Sequence, residues 1–245
     1  MTMNATLKNL SRRSLVRWAV AAPVLALAAP ALAARDPHAA SAGLTPDEAL
    51  ERLRRGNAAF VSDQPLPVSL GTERRHALAA GQAPFAVLVC CSDSRVPPEA
   101  VFGCGLGELF TIRVAGNTID TTALGSIEYA VEHLGAPLVV VMGHERCGAV
   151  AAATDVVQRN THFPGAVGAM LQPIIPAVLA ARAADSEGNL VDLSVRENVR
   201  HVLQHLQEAA SPALLEKQAG GELRIVGARY DLDDGVVDFF ETGEA

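Results

Sequence analysis

The chain has no CxxC pair, no basic excess, no internal repeat, no acidic residue before Asp36 and no long unbroken apolar run. Each absence removes a class of function. The four cysteines, Cys90, Cys91, Cys104 and Cys147, are not spaced for a thioredoxin-like redox site. Lysine and arginine total 20 against 27 acidic residues, a net charge of −7. A nucleic-acid binder needs a basic footprint, so nucleic acid is not an expected partner. The apolar stretch over residues 18–29 is short and alanine-rich, and Pro23 and Pro30 interrupt it, which makes a poor membrane span.

What is present fits one α/β domain of ordinary size behind an N-terminal extension: 245 residues, 49% of them hydrophobic. The extension reads as an address. Arg12-Arg13 precedes the weakly apolar stretch, and Ala31-Leu32-Ala33 offers a small-x-small cleavage site. An ordinary secretory signal or an uncleaved anchor is the bland reading. The arginine pair resembles a twin-arginine signal more closely. The expected division is a signal peptide over 1–33, a linker over 34–44 and a folded domain over 45–245. The expected location is the periplasm, with the membrane met only through the export machinery.

The body alternates between strand and helix patterns. Thr45-Pro46-Asp47-Glu48 is a helix start, with the helix running to about Phe60. Further helices are expected over 72–80, 97–102, 126–134, 147–157, 170–184 and 191–208. Strands are expected over 85–90, 109–114, 137–142, 223–230 and 235–240. This order predicts a mainly parallel central sheet flanked by helices, with an antiparallel C-terminal strand. Ligands in such sheets bind beyond the carboxyl ends of the strands. Two loops fall there: Cys91-Ser92-Asp93-Ser94-Arg95, and Gly143-His144-Glu145-Arg146-Cys147-Gly148.

Those loops hold two thiols and an imidazole. Two thiolates and a histidine form a set that zinc accepts, with a fourth position left for water or another ligand. In an extended segment consecutive side chains face opposite ways, so Cys90 and Cys91 have separate jobs. Buried cysteines are usually small hydrophobes, the role expected of Cys90 and Cys104. His38, His76, His133, His162, His201 and His205 are read as structural. Spacing alone makes Cys91, His144 and Cys147 a candidate metal site, and the alternative at this point is chance, since a Cys and an HxxC also occur without a metal.

The run Cys91-Ser92-Asp93-Ser94-Arg95-Val96, followed by His144-Glu145-Arg146-Cys147-Gly148, resembles the β-class carbonic anhydrase family. Ile112-Arg113-Val114-Ala115-Gly116-Asn117 and Ile127-Glu128-Tyr129-Ala130-Val131 match the same pattern. The resemblance covers the chain from about Thr45 to the C-terminus. It implies one zinc ion per subunit on Cys91, His144 and Cys147, and a catalytic dyad of Asp93 and Arg95. Asp93 is a possible fourth ligand in a closed state. Gln82, Phe110, Tyr129 and Gly148 align with substrate-pocket residues of the plant-type variant. The family's regulated subset has Trp three residues before the first zinc cysteine, where this chain has Leu88.

The implied reaction is reversible hydration of CO2 to bicarbonate and a proton by attack of zinc-bound hydroxide. Two thiolates neutralise the ion's charge, so activity is expected to climb on the alkaline side of neutral. His133, Tyr129 and Glu145 are candidates for carrying the proton away. The resemblance also implies a homodimer or homotetramer with the pocket completed across the subunit interface. Twin-arginine export carries folded protein, so zinc loaded beforehand would shield the thiolates from an oxidising compartment. Rival readings are a CS2 or COS hydrolase on the same framework, a structural zinc protein and a thiol redox sensor.

Overall fold

The computed structural model describes residues 43–184 and 188–241. The expected signal peptide and most of the expected linker lie outside the described residues, as does His38.

Helix α1 (Pro46–Val61) starts where its capping chemistry puts it. The Thr45 hydroxyl accepts from the Glu48 amide, and the Glu48 carboxylate accepts from the Thr45 amide. This reciprocal box satisfies two amides that a helix start leaves unpaired. Ala49, Leu50, Leu53 and Gly56 form the buried stripe of α1. A short α2 (Thr72–Leu78) follows.

Five strands make one sheet: β1 (Ala86–Cys90), β2 (Leu109–Arg113), β3 (Leu138–His144), β4 (Arg224–Tyr230) and β5 (Val237–Phe240). Their order is β2-β1-β3-β4-β5. The first four in that order run parallel, and β5 turns back antiparallel along β4. This is the architecture expected from the alternation. Every residue of β1 and β3 is buried, because helices cover both sheet faces. The pleat divides β1: Ala86, Leu88 and Cys90 join the core with α1 and α3 (Pro98–Val101). Val87 and Val89 join the core on the other face, with α4 (Thr121–Glu132), α8 (Leu190–Ala209) and α9 (Pro212–Ala219). A third apolar cluster, around Val150, Leu171, Ile174, Val178 and Val195, sits under α5 (Gly148–Arg159), α6 (Gly165–Leu171) and α7 (Ile175–Ala184).

Several boundaries differ from expectation. Helix α4 starts at Thr121 rather than near Ser126, because the Asp120 carboxylate caps it through the Ala123 amide. The single helix expected over 170–184 is two helices with a 3-10 turn, Gln172–Ile174, between them. Pro173 sits in that turn and Pro176 follows it; each removes a helical donor. Strand β3 continues two residues past Met142, so His144 ends a strand instead of lying in a loop. Helix α9, capped by the Ser211 hydroxyl, was not expected at all.

Candidate metal centre

The chain leaves β1 toward β2 on one side and later returns with β3 on the other. The β1/β3 boundary is therefore the topological switch point of the sheet, where a crevice opens beyond the strand ends. Cys90 pairs with Met142, so Cys91 emerges beside the end of β3. His144 is the last residue of β3. The backbone then turns through Arg146, at φ 51°, into α5, and Cys147 occupies the N-cap position of that helix.

Cys91 Sγ and Cys147 Sγ lie 3.9 Å apart. With a His144 ring nitrogen they form a set of donor atoms all within 4.8 Å of one another, and all three residues are buried. His144 Nδ1 is 2.9 Å from the Glu145 carbonyl oxygen. A carbonyl only accepts, so Nδ1 carries the proton and Nε2 is left with a lone pair. Nε2 is buried and has no hydrogen-bond partner among the described residues. An orphaned acceptor beside two sulfurs is the arrangement a soft cation satisfies, and the Nδ1 bond fixes the ring for it. These three residues could hold zinc.

Hydrogen bonding from Cys147, opposed by burial and aided by the Gly116 amide, lowers the Cys91 thiol below its usual range. Cys147, as the donor to an already charged neighbour and buried besides, is pushed up. A cation between them favours the thiolate at both. Cys90 and Cys104 differ in kind: burial pushes each up to about 12, which suits inert core thiols.

Asp93 stands at the edge of the cluster, with Oδ2 3.8 Å from His144 Nε2. Arg95 grips it three times. Its backbone amide and Nε reach Oδ1 at 2.9 Å each, and Nη2 reaches Oδ2 at 2.7 Å. This fork holds the Asp93 carboxyl well below the usual carboxylate range. Arg113, at the end of β2, clamps the same loop by its backbone, donating to the carbonyls of Cys91 (3.0 Å) and Asp93 (2.7 Å).

The other expected pocket residues are not gathered at this cluster within one chain. Gln82 is exposed and precedes β1, at the end opposite to Cys91. Phe110 pairs with Val87, four residues before Cys91, or about 13 Å along the strand. Tyr129 stacks beside Phe110 at 6.4 Å and against His133 at 5.4 Å, yet is 49% exposed. A side chain added at Gly148 would meet open space. Glu145 and Arg146 are tied to the β4–β5 turn: Arg146 pairs with Asp233, and Glu145 Oε2 accepts from the Leu232 amide. Arg113 and Gly116 stand in a run that matches the family pattern, though nothing in that run assigns either a role, and Asn198 carried no signal at all; all three support the loops from outside the two ligand motifs. A surface cleft of about 770 Å³ lined by Phe60, Leu66, Leu70, Cys104 and Leu232 contains none of the candidate ligands.

Comparisons with known proteins agree on one identity. The carbonic anhydrase family model matches residues 86–237. Carbonic anhydrase 2 of Mycobacterium tuberculosis is 43% identical over 190 residues, spanning 78% of this chain and 90% of the relative. The carbonic anhydrase of Mycolicibacterium smegmatis is 42% identical over 193 residues, 79% of this chain and 92% of its own. Among solved structures, a β-carbonic anhydrase of Aspergillus fumigatus superposes with a TM-score of 0.62 at 28% identity, covering 81% of this chain and 92% of that one. A tetrameric β-carbonic anhydrase of Sordaria macrospora gives 0.61 at 28% identity, covering 70% and 87%. A buried Cys-His-Cys set at the switch point of a parallel sheet, found in a chain with these relatives, leads to one conclusion: the chain belongs to the β-class carbonic anhydrases, zinc enzymes that interconvert carbon dioxide and bicarbonate.

Proposed function

We propose that zinc is held by Cys91, His144 and Cys147, and that Asp93 and Arg95 serve the hydration of CO2 beside it. The overall reaction is CO2 + H2O ⇌ HCO3⁻ + H⁺. Zinc bound there supplies Lewis acidity that makes a water acidic near neutral pH. The chain's own groups do the rest. The Nδ1 proton of His144, given to the Glu145 carbonyl, aims the ring. Asp93, kept ionised by Arg95, is purely an acceptor; it orients the attacking water by taking a hydrogen bond from it.

The observation that carries this reading is the state of Asp93. It stands within 4 Å of His144 Nε2, yet both its oxygens are committed to Arg95. A structural zinc site closes all four positions with protein ligands. Here the nearest fourth donor is held off, which favours an open position. The test is zinc content and stopped-flow CO2 hydration on one sample of the body from Ala34 onward. One zinc per chain with hydration rising toward alkaline pH is expected; one zinc with no hydration at any pH would refute the open-site assignment.

The substrate pocket belongs to an assembly of two or more copies. Among the described residues strand β2 pairs only with β1, so its outer edge has no strand partner there, and its residues are only half-buried. An edge strand of this kind is ready to be covered. Phe110 on β2 and exposed Tyr129 beside it are far from their own chain's sulfurs along the strand. A second copy against this edge supports a pocket in which Gln82 and an aromatic residue serve the neighbour's zinc. Solution mass at a multiple of the chain mass is expected, and a fully active monomer would refute the shared pocket.

The twin-arginine-like leader supports a periplasmic enzyme with a catalytic domain over 45–245. Replacing Arg12 and Arg13 together by lysine is expected to retain the protein in the cytoplasm; unchanged periplasmic yield would remove the basis for that route.

A further inference from the structure

Helix α8 lies behind both ligand loops. On one side Val195 and Val199 pack so closely on Gly143 that a Cβ there would come within 2.9 Å of each, which fixes the backbone next to His144. On the other side a buried polar side chain, Asn198, reaches the loop that follows β2. Its Nδ2 donates to the Gly116 carbonyl at 2.8 Å. The Gly116 amide in turn points at Cys91 Sγ, 3.4 Å away.

The turn at 116–117 needs such a hold. Gly116 and Asn117 both have positive φ, 80° and 46°, a region that costs energy for a residue with a Cβ. Gly116 has no lateral freedom: a Cβ on it would come within 2.5 Å of Ile174 Cδ1 and 3.2 Å of Ala149 Cβ. Asn198 is itself fully buried. A primary amide in that setting is costly unless it is hydrogen-bonded, and here its donor is used on one backbone carbonyl, one peptide removed from a metal-ligand contact.

We infer that Asn198 is a positioning residue for the metal centre: by holding the Gly116 peptide in its left-handed turn, it keeps the Gly116 amide directed at the Cys91 sulfur, and so sets how tightly that sulfur's zinc is retained. This rests on the ligand assignment made above. A hydrogen bond to a ligating thiolate draws electron density from the sulfur and pre-orders its position. Groups in this relation to a metal typically change affinity 10–100-fold when removed. The bland alternative is that Asn198 only satisfies a buried carbonyl, in which case its loss weakens the fold without a specific effect on the metal.

The test uses full-length holoprotein. Zinc affinity is measured by chelator competition in wild type, in Asn198→Leu, which keeps the branched heavy-atom shape and removes the donor, and in Val202→Ala, a buried apolar change one turn along the same helix that has no donor to lose. Cobalt-loaded samples report the thiolate charge-transfer band. The expected result is an affinity loss of about tenfold or more and a displaced cobalt band in Asn198→Leu, with neither in Val202→Ala. Equal affinities, or equal losses in both variants, would overturn the inference. Should Asn198→Leu fail to fold, cadmium-113 loaded wild type gives the answer. A scalar coupling from the metal to the Gly116 amide proton is expected, and its absence overturns the proposal. Wild type that binds no zinc would sink the ligand assignment and this inference with it. Wild type with one zinc and an unchanged Asn198→Leu would sink this inference alone.

Discussion

Arg95 and Asp93 stand two residues apart and still make three hydrogen bonds, one of them from the Arg95 backbone. Exposed ion pairs usually contribute little to stability. This one matters because of where the carboxylate would go without it. Arg95→Ala frees Asp93 to turn toward His144 and Cys147. The variant is expected to keep one zinc and lose hydration activity by roughly 10–100-fold, as read by metal analysis beside stopped flow. Arg95→Lys should recover little, because an ammonium lacks the planar fork that engages both oxygens. Full turnover in Arg95→Ala would show that the pair is ornamental. The ligands themselves were legible as residues, since Cys91, His144 and Cys147 sit in two short motifs. Asn198 was not: it lies 82 residues from Gly116 in sequence, inside a run that reads only as an amphipathic helix. Arg113 stood inside a run that matches the family pattern, yet nothing in that run says that its guanidinium reaches the Cys91 carbonyl.

Between elements the decisive contacts are backbone approaches. Gly56 on α1 faces the Phe102 carbonyl at the end of α3, with no space for a methyl group. Gly56→Ala, a change that helix propensity alone would favour, should instead destabilise by about 1–3 kcal/mol through overpacking. Urea denaturation checks the stability, and zinc content should stay at one per chain. The β4–β5 turn is expected to respond to acid. Asp231 is held below the usual carboxylate range first by the Asp233 amide and then by Arg229. A carboxyl lowered in the folded state contributes stability above its unfolded value, near 4, and loses it as pH falls through the folded value. Thermal midpoints of wild type should therefore drop as pH falls below about 4, and Asp231→Asn should flatten part of that drop. Equal acid sensitivity in the two proteins would remove Asp231 from the account. Elements were legible in proportion to their local signals. The capping box at Thr45 and the apolar strand cores announced themselves. The start of α4 was missed because Asp120 and Thr121-Thr122 read as loop residues, and the break at Gln172–Ile174 because an apolar run masked the effect of Pro173 and Pro176.

At the scale of the whole molecule, the alternation of strands and helices was enough to give the sheet, and the sheet order put the two motifs in one crevice. Periodicity does not reveal which faces a second copy covers. Phe110 and Tyr129 look like ordinary strand and helix residues until the register places them away from the sulfurs. The pleat of β1 also has a practical consequence. Because Cys90 turns into the core while Cys91 turns to the Cys-His-Cys cluster, the cysteines divide into two that could ligate a metal and two that stand apart from it. The chain thus carries its own chromogenic reporter of metal occupancy. With an aromatic disulfide reagent, the native zinc protein should release colour slowly. Chelation should unmask Cys91 and Cys147 only. Denaturant should then deliver the remaining pair, Cys90 and Cys104, so that the colour doubles.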